Sequence, residues 1–321
     1  MHRADYVIKR GFFALVTVFV AITTNFFLFR VLPGNAVSDL ARVPQSSPQL
    51  RYALTAEFGL DKPKWEQYLI YLKQLLHGNM GISFGYQQPV SHLLFADLKN
   101  TIPMVTVGTL AAVVVGVFTG VLSAWRRGSP PDHISTNLAI FAYAFPTQWL
   151  GLMLLIVFAG VLPAGGMTNP FLFGPEPFWQ HLGDVAQHMV LPAATLMLTA
   201  YGSYTLVVRS SLLETLGEDY VLTARAKGLP VRRIVWRHAV RNALLPMVTL
   251  IALDFGYIVG GALLIEVIFS WPGIGESMYT AITQRDYPML QGGFLILTVS
   301  VIVLNFLSDL VYFRLDPRIS Q

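Results

Sequence analysis

Two carboxylates in one long apolar stretch are the residues of this 321-residue chain with the clearest potential for chemistry. Asp254 lies inside that stretch, and Glu266 lies near its end. A carboxylate among apolar residues either accepts hydrogen bonds from the protein or binds a cation or a proton. Both residues are therefore candidates for a functional role as well as for a structural one.

Motifs for nucleotide hydrolysis and metal binding are missing. No G-x-x-x-x-G-K-[ST] sequence occurs, so the chain lacks the phosphate-binding loop of an ATPase. H-E-x-x-H is absent, and there is no cysteine for a disulfide, a thiolate metal site or a nucleophile. His181 and His188 are seven residues apart without a third ligand. The sequence predicts no catalytic residue, no metal site and no cofactor bound by this chain.

The composition is that of a membrane protein. Hydrophobic residues make up 54% of the chain and charged residues 12%, against about 25% charged residues in soluble domains. The apolar residues form runs of about 20, the length that crosses the hydrocarbon core as a helix. The net charge of +4 is modest, and we expect membrane lipid rather than nucleic acid around the chain.

Six apolar runs predict an all-α polytopic membrane protein with six transmembrane helices. The runs are residues 11–29, 103–125, 137–161, 189–208, 244–269 and 292–313. Asp254 is eight residues past Pro246, which places it roughly 12 Å into the membrane at 1.5 Å per residue. It would either line a transport pathway and meet a cationic group of the solute, or pair within the protein.

The distribution of Arg and Lys predicts the orientation of the helices. Basic residues cluster before the first run, after the second, between the fourth and fifth, and after the sixth. The two short opposite loops, residues 162–188 and 270–291, contain a single basic residue, Arg285. The long segment 31–102 contains several Arg and Lys, but segments longer than about 60 residues translocate largely regardless of charge. By the positive-inside rule, both termini are cytoplasmic.

Residues 31–102, between the first two runs, are predicted to form a small helical cap on the outer side. One helix is expected from Ser47 to near Gly59, and a second begins at Pro63 and ends at Gly78. Apolar residues of the second helix are predicted to share one side: Trp65, Tyr68, Leu69, Leu72, Leu75 and Leu76. The cap either stabilises the outer ends of the helices or docks an external partner.

The predicted cytoplasmic loop 209–242 contains a short helix, and the residues next to each of its ends indicate where it begins and where it stops. Glu218 and Asp219 suit the positive N-terminal end of a helix, and Gly228 can adopt the left-handed cap. Pro230 prevents the helix from continuing. Arg233, Arg237 and Arg241 then follow at intervals of four, and attraction to lipid headgroups would explain that spacing as well as protein contact would.

Several stretches together resemble the permeases of binding-protein-dependent ABC importers, in particular the dipeptide, oligopeptide and nickel family. The most specific are YVLTARAKG at residues 220–228 and RHAVRNALLP at residues 237–246. FGLDKP at 58–63, EVIFSWPGIG at 266–275, RDYP at 285–288 and LDPR at 315–318 agree with them. The long outer segment resembles the first of the two permease subunit types.

The resemblance divides the chain into three parts. Residues 1–30 are the N-terminal tail and first transmembrane helix, residues 31–102 are the extracytoplasmic cap, and residues 103–321 are the permease core. Glu266, Trp271, Pro272 and Gly273 would form the turn at the outer gate.

What the resemblance implies is a helix that docks into a groove on a separate ATPase. Thr223, Ala224 and Ala226 would allow close approach, and Arg225 and Lys227 would meet acidic partner residues. Tyr220, Gly228 and Leu229 complete the implied contact set. The general importer motif has Glu-Ala-Ala where this chain has Leu222, Thr223 and Ala224, so no role for that glutamate carries over.

The resemblance also implies the partners and the location. They are a second homologous permease subunit, two ATPase subunits or domains that hold ATP and Mg²⁺, and an extracytoplasmic substrate-binding protein. The complex would lie in the plasma or inner membrane of a bacterium or archaeon and work by alternating access. Dipeptides, longer peptides, nickel chelates and haem all fit as cargo.

Two other functions are weighed against this one. A secondary transporter would use an ion gradient through Asp254 and would normally show internal repeats with paired broken helices, which the sequence does not display. A membrane scaffold or channel would need neither the capped cytoplasmic helix nor a separate ATPase.

Overall fold

The computed structural model describes residues 3–31, 59, 61–171, 177–244, 246–247, 250–251 and 262–315. These residues form helices and no β-strand, apart from two isolated bridges. The helices are α1 Arg3–Val31, α2 Lys64–Leu76, α3 Val90–Trp125, α4 Pro130–Ala144, α5 Thr147–Val157, α6 Phe178–Thr215, α7 Asp219–Ala226, α8 Val231–Arg233, a π-helical turn Ile234–Ala239, α9 Val240–Ala243, α10 Ile274–Gln284 and α11 Tyr287–Leu315. The predicted all-α class is confirmed.

Four of the described helices are long and apolar enough to cross a membrane: α1, α3, α6 and α11. They correspond to the first, second, fourth and sixth predicted runs. A fifth span is obtained if the bent pair α4 and α5 counts as one. Half of the fifth predicted run, 244–269, lies outside the described residues, and its described parts at 246–247, 250–251 and 262–268 are helical.

The third predicted span, 137–161, is not one straight helix. α4 ends at Ala144, α5 begins at Thr147, and the two are bent by 107°. Phe145 is extended at φ −83° and ψ 130°, as expected for a residue that precedes proline, and Pro146 has no N–H with which to continue the α4 ladder. The apolar run is therefore divided by its own proline.

The chain forms two compact units. One contains Met1–Asn100 and Gly273–Phe306, and the other contains Thr101–Pro272 and Leu307–Ile319. In the second unit, α4 and α5 pack against α6, and α9 packs against the C-terminal half of α6. This unit carries the predicted coupling loop.

Glycines bring helix backbones close together in the second unit. A Cβ on Gly116 of α3 would lie 2.5 Å from the Cβ of Tyr204, and one on Gly202 would lie 2.3 Å from the carbonyl oxygen of Ala139 on α4. Thr119 and Thr205 join α3 to α6 by a 2.8 Å hydrogen bond. Small residues permit such contacts, and van der Waals packing of this kind holds membrane helices together.

In the first unit, the helix α2 packs against the C-terminal part of α1. The ring of Phe26 lies 5.1 Å from that of Tyr68 and 5.6 Å from that of Tyr71. The end of α2 is as predicted, since Gly78 adopts a positive φ of 71°. The helix expected to end near Gly59 lies outside the described residues apart from Gly59 itself.

The side of α2 that carries the predicted apolar residues is largely exposed within the described structure. Tyr68 packs on Phe26, but Trp65, Leu69 and Leu76 are exposed within the described structure. The buried residues are Gln67 and Tyr71. The face of an amphipathic helix that meets α1 is set by the aromatic contact with Phe26, which the hydrophobic pattern alone does not locate.

Candidate functional site

The short helix predicted within loop 209–242 is α7, residues Asp219–Ala226. Glu218 is its extended N-cap residue, and Asp219 lies in the first turn, where a carboxylate interacts well with the helix dipole. Gly228 follows with a positive φ of 71°, and its N–H donates to the carbonyl oxygen of Arg225 at 2.9 Å. Pro230 then starts the next helical segment.

One side of α7 is buried within the loop itself. Val221 and Ala224 form a small core with Ile234, and Leu216 and Leu229 pack at its edge. Ala224 was expected to allow close approach of a partner. Its side chain instead lies in this core, 7% exposed, because positions three apart on a helix face the same way.

Apart from Leu229, which packs at the edge of this core, the rest of the predicted contact set is exposed. Tyr220, Thr223, Arg225, Ala226, Lys227 and Gly228 all lie on the outward side of the loop. A Cβ on Gly228 would meet nothing within 4 Å, so the glycine is required by its backbone conformation and not by packing inside this chain. α7 therefore presents a mixed polar and cationic face with small side chains at Thr223 and Ala226.

The segment after α7 passes through α8, the π-helical turn and α9. Its buried residues Val235, Ala239, Val240 and Ala243 share a core with Val208 and Leu212 of α6. Its exposed residues are four arginines and a half-exposed tryptophan: Arg232, Arg233, Arg237, Arg241 and Trp236. Among the described residues, no acidic side chain lies within ion-pair distance of Arg233, Arg237 or Arg241.

A polar contact ties α7 to this basic segment. The Nδ2 atom of Asn242 donates a 2.9 Å hydrogen bond to the hydroxyl of Tyr220. Together with the contact between Ile234 and the α7 core, it fixes α7 to a segment that packs on α6. α7 is thus attached through this segment to α6, one of the four long apolar helices.

The outer turn is more deeply buried than its position near the end of an apolar run suggests. Glu266 is 0% exposed and accepts a 2.7 Å hydrogen bond from Thr101. The N–H of Trp271 donates to the Glu266 carbonyl oxygen at 2.8 Å, and the indole is also fully buried. Gly273 caps α10. The carboxylate is held inside the protein because neighbouring elements cover it.

Asp254 lies outside the described residues, so its role as a candidate pathway residue stays a prediction. Within the described part of the chain, no group of three or more His, Asp or Glu side chains could hold a metal ion. His188 instead contacts Asp184, one turn earlier on α6, at 3.2 Å.

A second buried carboxylate organises the outer part of the first unit. Asp286 accepts hydrogen bonds from the hydroxyl of Ser83 at 2.5 Å, from the N–H of Gly85 at 3.0 Å and from the N–H of Met289 at 3.1 Å. Residues 81–85 have the G-x-S-x-G spacing of a hydrolase nucleophile turn, but Ser83 is 0% exposed and donates to Asp286. The arrangement is a structural clamp.

Sequence reasoning missed a third site with a buried carboxylate, near the C-terminal end of α6 in the second unit. Ser123 of α3, Asp132 of α4 and Arg209 of α6 meet there, although Asp132 and Arg209 are 77 residues apart in the chain. The available signal was the position of Asp132 and Arg209 at the ends of two apolar runs. That signal is weak, because charges at helix ends are usually solvated.

Comparisons with known proteins agree with these features. Residues 98–321 match the family described as binding-protein-dependent transport system inner membrane component, and residues 3–106 match the N-terminal region of such membrane components. The chain is 39% identical to the dipeptide transport system permease protein DppB of Escherichia coli, over 95% of this chain and 96% of that protein. It is 33% identical to the oligopeptide transport system permease protein AppB of Bacillus subtilis, over 98% and 99%.

Proposed function

This chain belongs to the family of binding-protein-dependent transport system inner membrane components and is a permease subunit of an ABC peptide importer, and from that premise we propose how it is driven. The helix α7 docks into a groove on a cytoplasmic ATPase and carries the motion of that ATPase into the membrane helices. The observation that supports this most directly is the division of α7 into a side buried in the loop and an exposed polar side.

The proposed docking face is formed by Tyr220, Thr223, Ala226 and Lys227. Small side chains at Thr223 and Ala226 let a partner surface approach the helix backbone, while Lys227 and the neighbouring Arg225 offer positive charge to acidic residues. The core of Val221 and Ala224 keeps α7 rigid on its support. A well-packed helix transmits a displacement because it moves as a unit and does not unfold locally.

We propose the following assembly. A second homologous permease completes the pathway, two ATPase subunits or domains bind ATP and Mg²⁺, and an extracytoplasmic protein delivers the solute. This chain contributes six transmembrane helices with both termini in the cytoplasm, where Asp254 is a candidate pathway residue. The transport step is alternating access between inward-open and outward-open states.

The basic segment beside α7 is proposed to contact membrane lipid. Its buried residues pack on α6 near Val208, where the predicted apolar run of α6 ends, so its outward side is at the level of the headgroups. Arg233, Arg237 and Arg241 suit anionic headgroups, and the half-exposed Trp236 suits the membrane interface.

The test is reconstitution of this chain with its partner permease, ATPases and binding protein. Ala226→Tyr places a bulky side chain on the exposed docking face without disturbing the α7 core. Arg127→Tyr is the control, because it places the same side chain on an exposed position outside that face, in the turn before α4. We expect Ala226→Tyr to abolish peptide-stimulated ATP hydrolysis and uptake while the permeases still pair, and Arg127→Tyr to retain both. Ion-driven transport by this chain alone in liposomes, unaffected by Ala226→Tyr, would contradict the proposal.

A further inference from the structure

The site at the end of α6 is an ion pair whose carboxylate, Asp132, is buried and whose arginine, Arg209, has a side chain that is 26% exposed. Arg209 donates from Nε to Asp132 Oδ1 at 2.8 Å and from Nη2 to Oδ2 at 3.1 Å, which is a bidentate arrangement. The hydroxyl of Ser123 and the N–H of Gly128 donate to the same carboxylate, the latter at 2.9 Å. Asp132 is 3% exposed and Ser123 is 0% exposed.

This site joins three helices. Ser123 lies in the last turn of α3, Gly128 in the turn that follows, Asp132 in the first turn of α4 and Arg209 near the end of α6. A buried ion pair seldom adds more stability than apolar residues of the same size, whereas its bidentate geometry strongly restricts the relative positions of the groups. The pair therefore fixes how the end of α6 lies against α3 and α4.

The end of α6 is also the base of the coupling helix. Leu216, the residue that caps α6, packs against the α7 core of Val221, Ala224 and Ile234. Arg209 lies seven residues, about two helical turns, before Leu216. In the same stretch, Leu212 packs with the buried residues of the basic segment. Displacement of α7 thus reaches Arg209 through one continuous helix.

We propose that Arg209 and Asp132 are positioning residues for energy coupling. Their bond holds the base of α7 to α3 and α4, so that movement of α7 shifts these helices together instead of bending the end of α6. The inference rests on the proposed function, because it requires that α7 receives the force of the ATPase. Neither residue need contact the ATPase or the peptide.

The variants separate geometry from charge. Arg209→Lys retains the positive charge but loses the planar fork, and Asp132→Asn retains the shape of the acceptor but loses the charge. Arg127→Lys is the matched control, since Arg127 is an exposed arginine on the same predicted side. The measurement is the number of ATP molecules hydrolysed per peptide imported by the full complex in proteoliposomes.

We expect Arg209→Lys and Asp132→Asn to assemble with the ATPases and to raise the ATP cost of each imported peptide by about 2- to 30-fold. Arg127→Lys should leave this ratio unchanged. A fall of hydrolysis and uptake in equal proportion would reduce the pair to a structural role and overturn the inference.

Two further results keep the experiment decisive. If the single variants fail to fold, Arg209→Gln combined with Asp132→Asn removes both charges, so that no unpaired charge remains buried. This double variant should fold and still hydrolyse more ATP per imported peptide than the unmodified complex. An unchanged ratio would overturn the inference. If the unmodified complex shows no ATP-driven uptake, the proposed function itself is wrong.

Discussion

The hydroxyl of Thr101 donates a 2.7 Å hydrogen bond to Oε1 of Glu266, which lies 165 residues further along the chain. Both side chains are buried, so the bond joins the outer part of α3 to the outer turn without help from water. Hydrogen bonds to a charged group contribute about 1.5–3 kcal/mol, because a buried carboxylate that loses a donor remains desolvated.

Thr101→Val keeps the shape of the side chain and removes the donor. We expect the variant to lower the free energy of unfolding by about 1.5–3 kcal/mol. Thr109→Val is the matched control, because Thr109 is also buried on α3 but donates only to the carbonyl oxygen of Val105 in its own helix. Unfolding in mixed detergent micelles measures both. Equal losses for the two variants would mean that the contact with Glu266 adds nothing.

Gly228 tests whether the end of α7 needs its left-handed backbone. A β-branched residue is strained at a φ of 71°, whereas asparagine adopts this conformation at low cost. Gly228→Val is expected to weaken ATPase binding by about tenfold, as follows from a penalty of 1–2 kcal/mol, and Gly228→Asn to retain most of it. Titration of purified ATPase against the permease pair measures the affinity. Equal ATPase binding by both variants would mean that binding does not require the left-handed backbone conformation at residue 228.

Gly116 tests the close contact of α3 with α6. A Cβ there would lie 2.5 Å from the Cβ of Tyr204 and 3.0 Å from the carbonyl oxygen of Tyr201, so Gly116→Ala should destabilise the helix pair by about 1–3 kcal/mol. Gly183 on α6 has no neighbour within 4 Å of such a Cβ. Gly183→Ala should therefore be neutral or slightly stabilising in the same unfolding measurement. Tolerance of Gly116→Ala would show that the helices can separate freely.

The basic segment gives a prediction about lipid. Replacing Arg233, Arg237 and Arg241 with Gln should remove the dependence of ATPase activity on anionic lipid, since each arginine near the surface contributes about 1 kcal/mol. The measurement compares nanodiscs of anionic and zwitterionic lipid at low and high salt. Arg225→Gln on α7 should instead weaken ATPase binding in both lipids. Loss of ATPase binding by the triple variant would identify the segment as a protein contact.

Local signals were sufficient where one short stretch specifies an element. Glu218, Gly228 and Pro230 predicted the ends of α7, because caps and breakers act on neighbouring residues. The apolar runs likewise predicted α1, α3, α6 and α11. The bend after α4 was missed although Pro146 is visible in the sequence, because the length of the apolar run outweighed a single breaker.

Contacts between distant residues could not be predicted in this way. The sequence by itself determined that the chain is helical and apolar enough for a membrane, and that a capped helix follows the fourth run. Only the tertiary structure decided that Ala224 packs inward, that Glu266 is covered, and that Arg209 meets Asp132. Helix length and caps depend on adjacent residues, whereas these pairings depend on which helix faces meet, and no single segment specifies that.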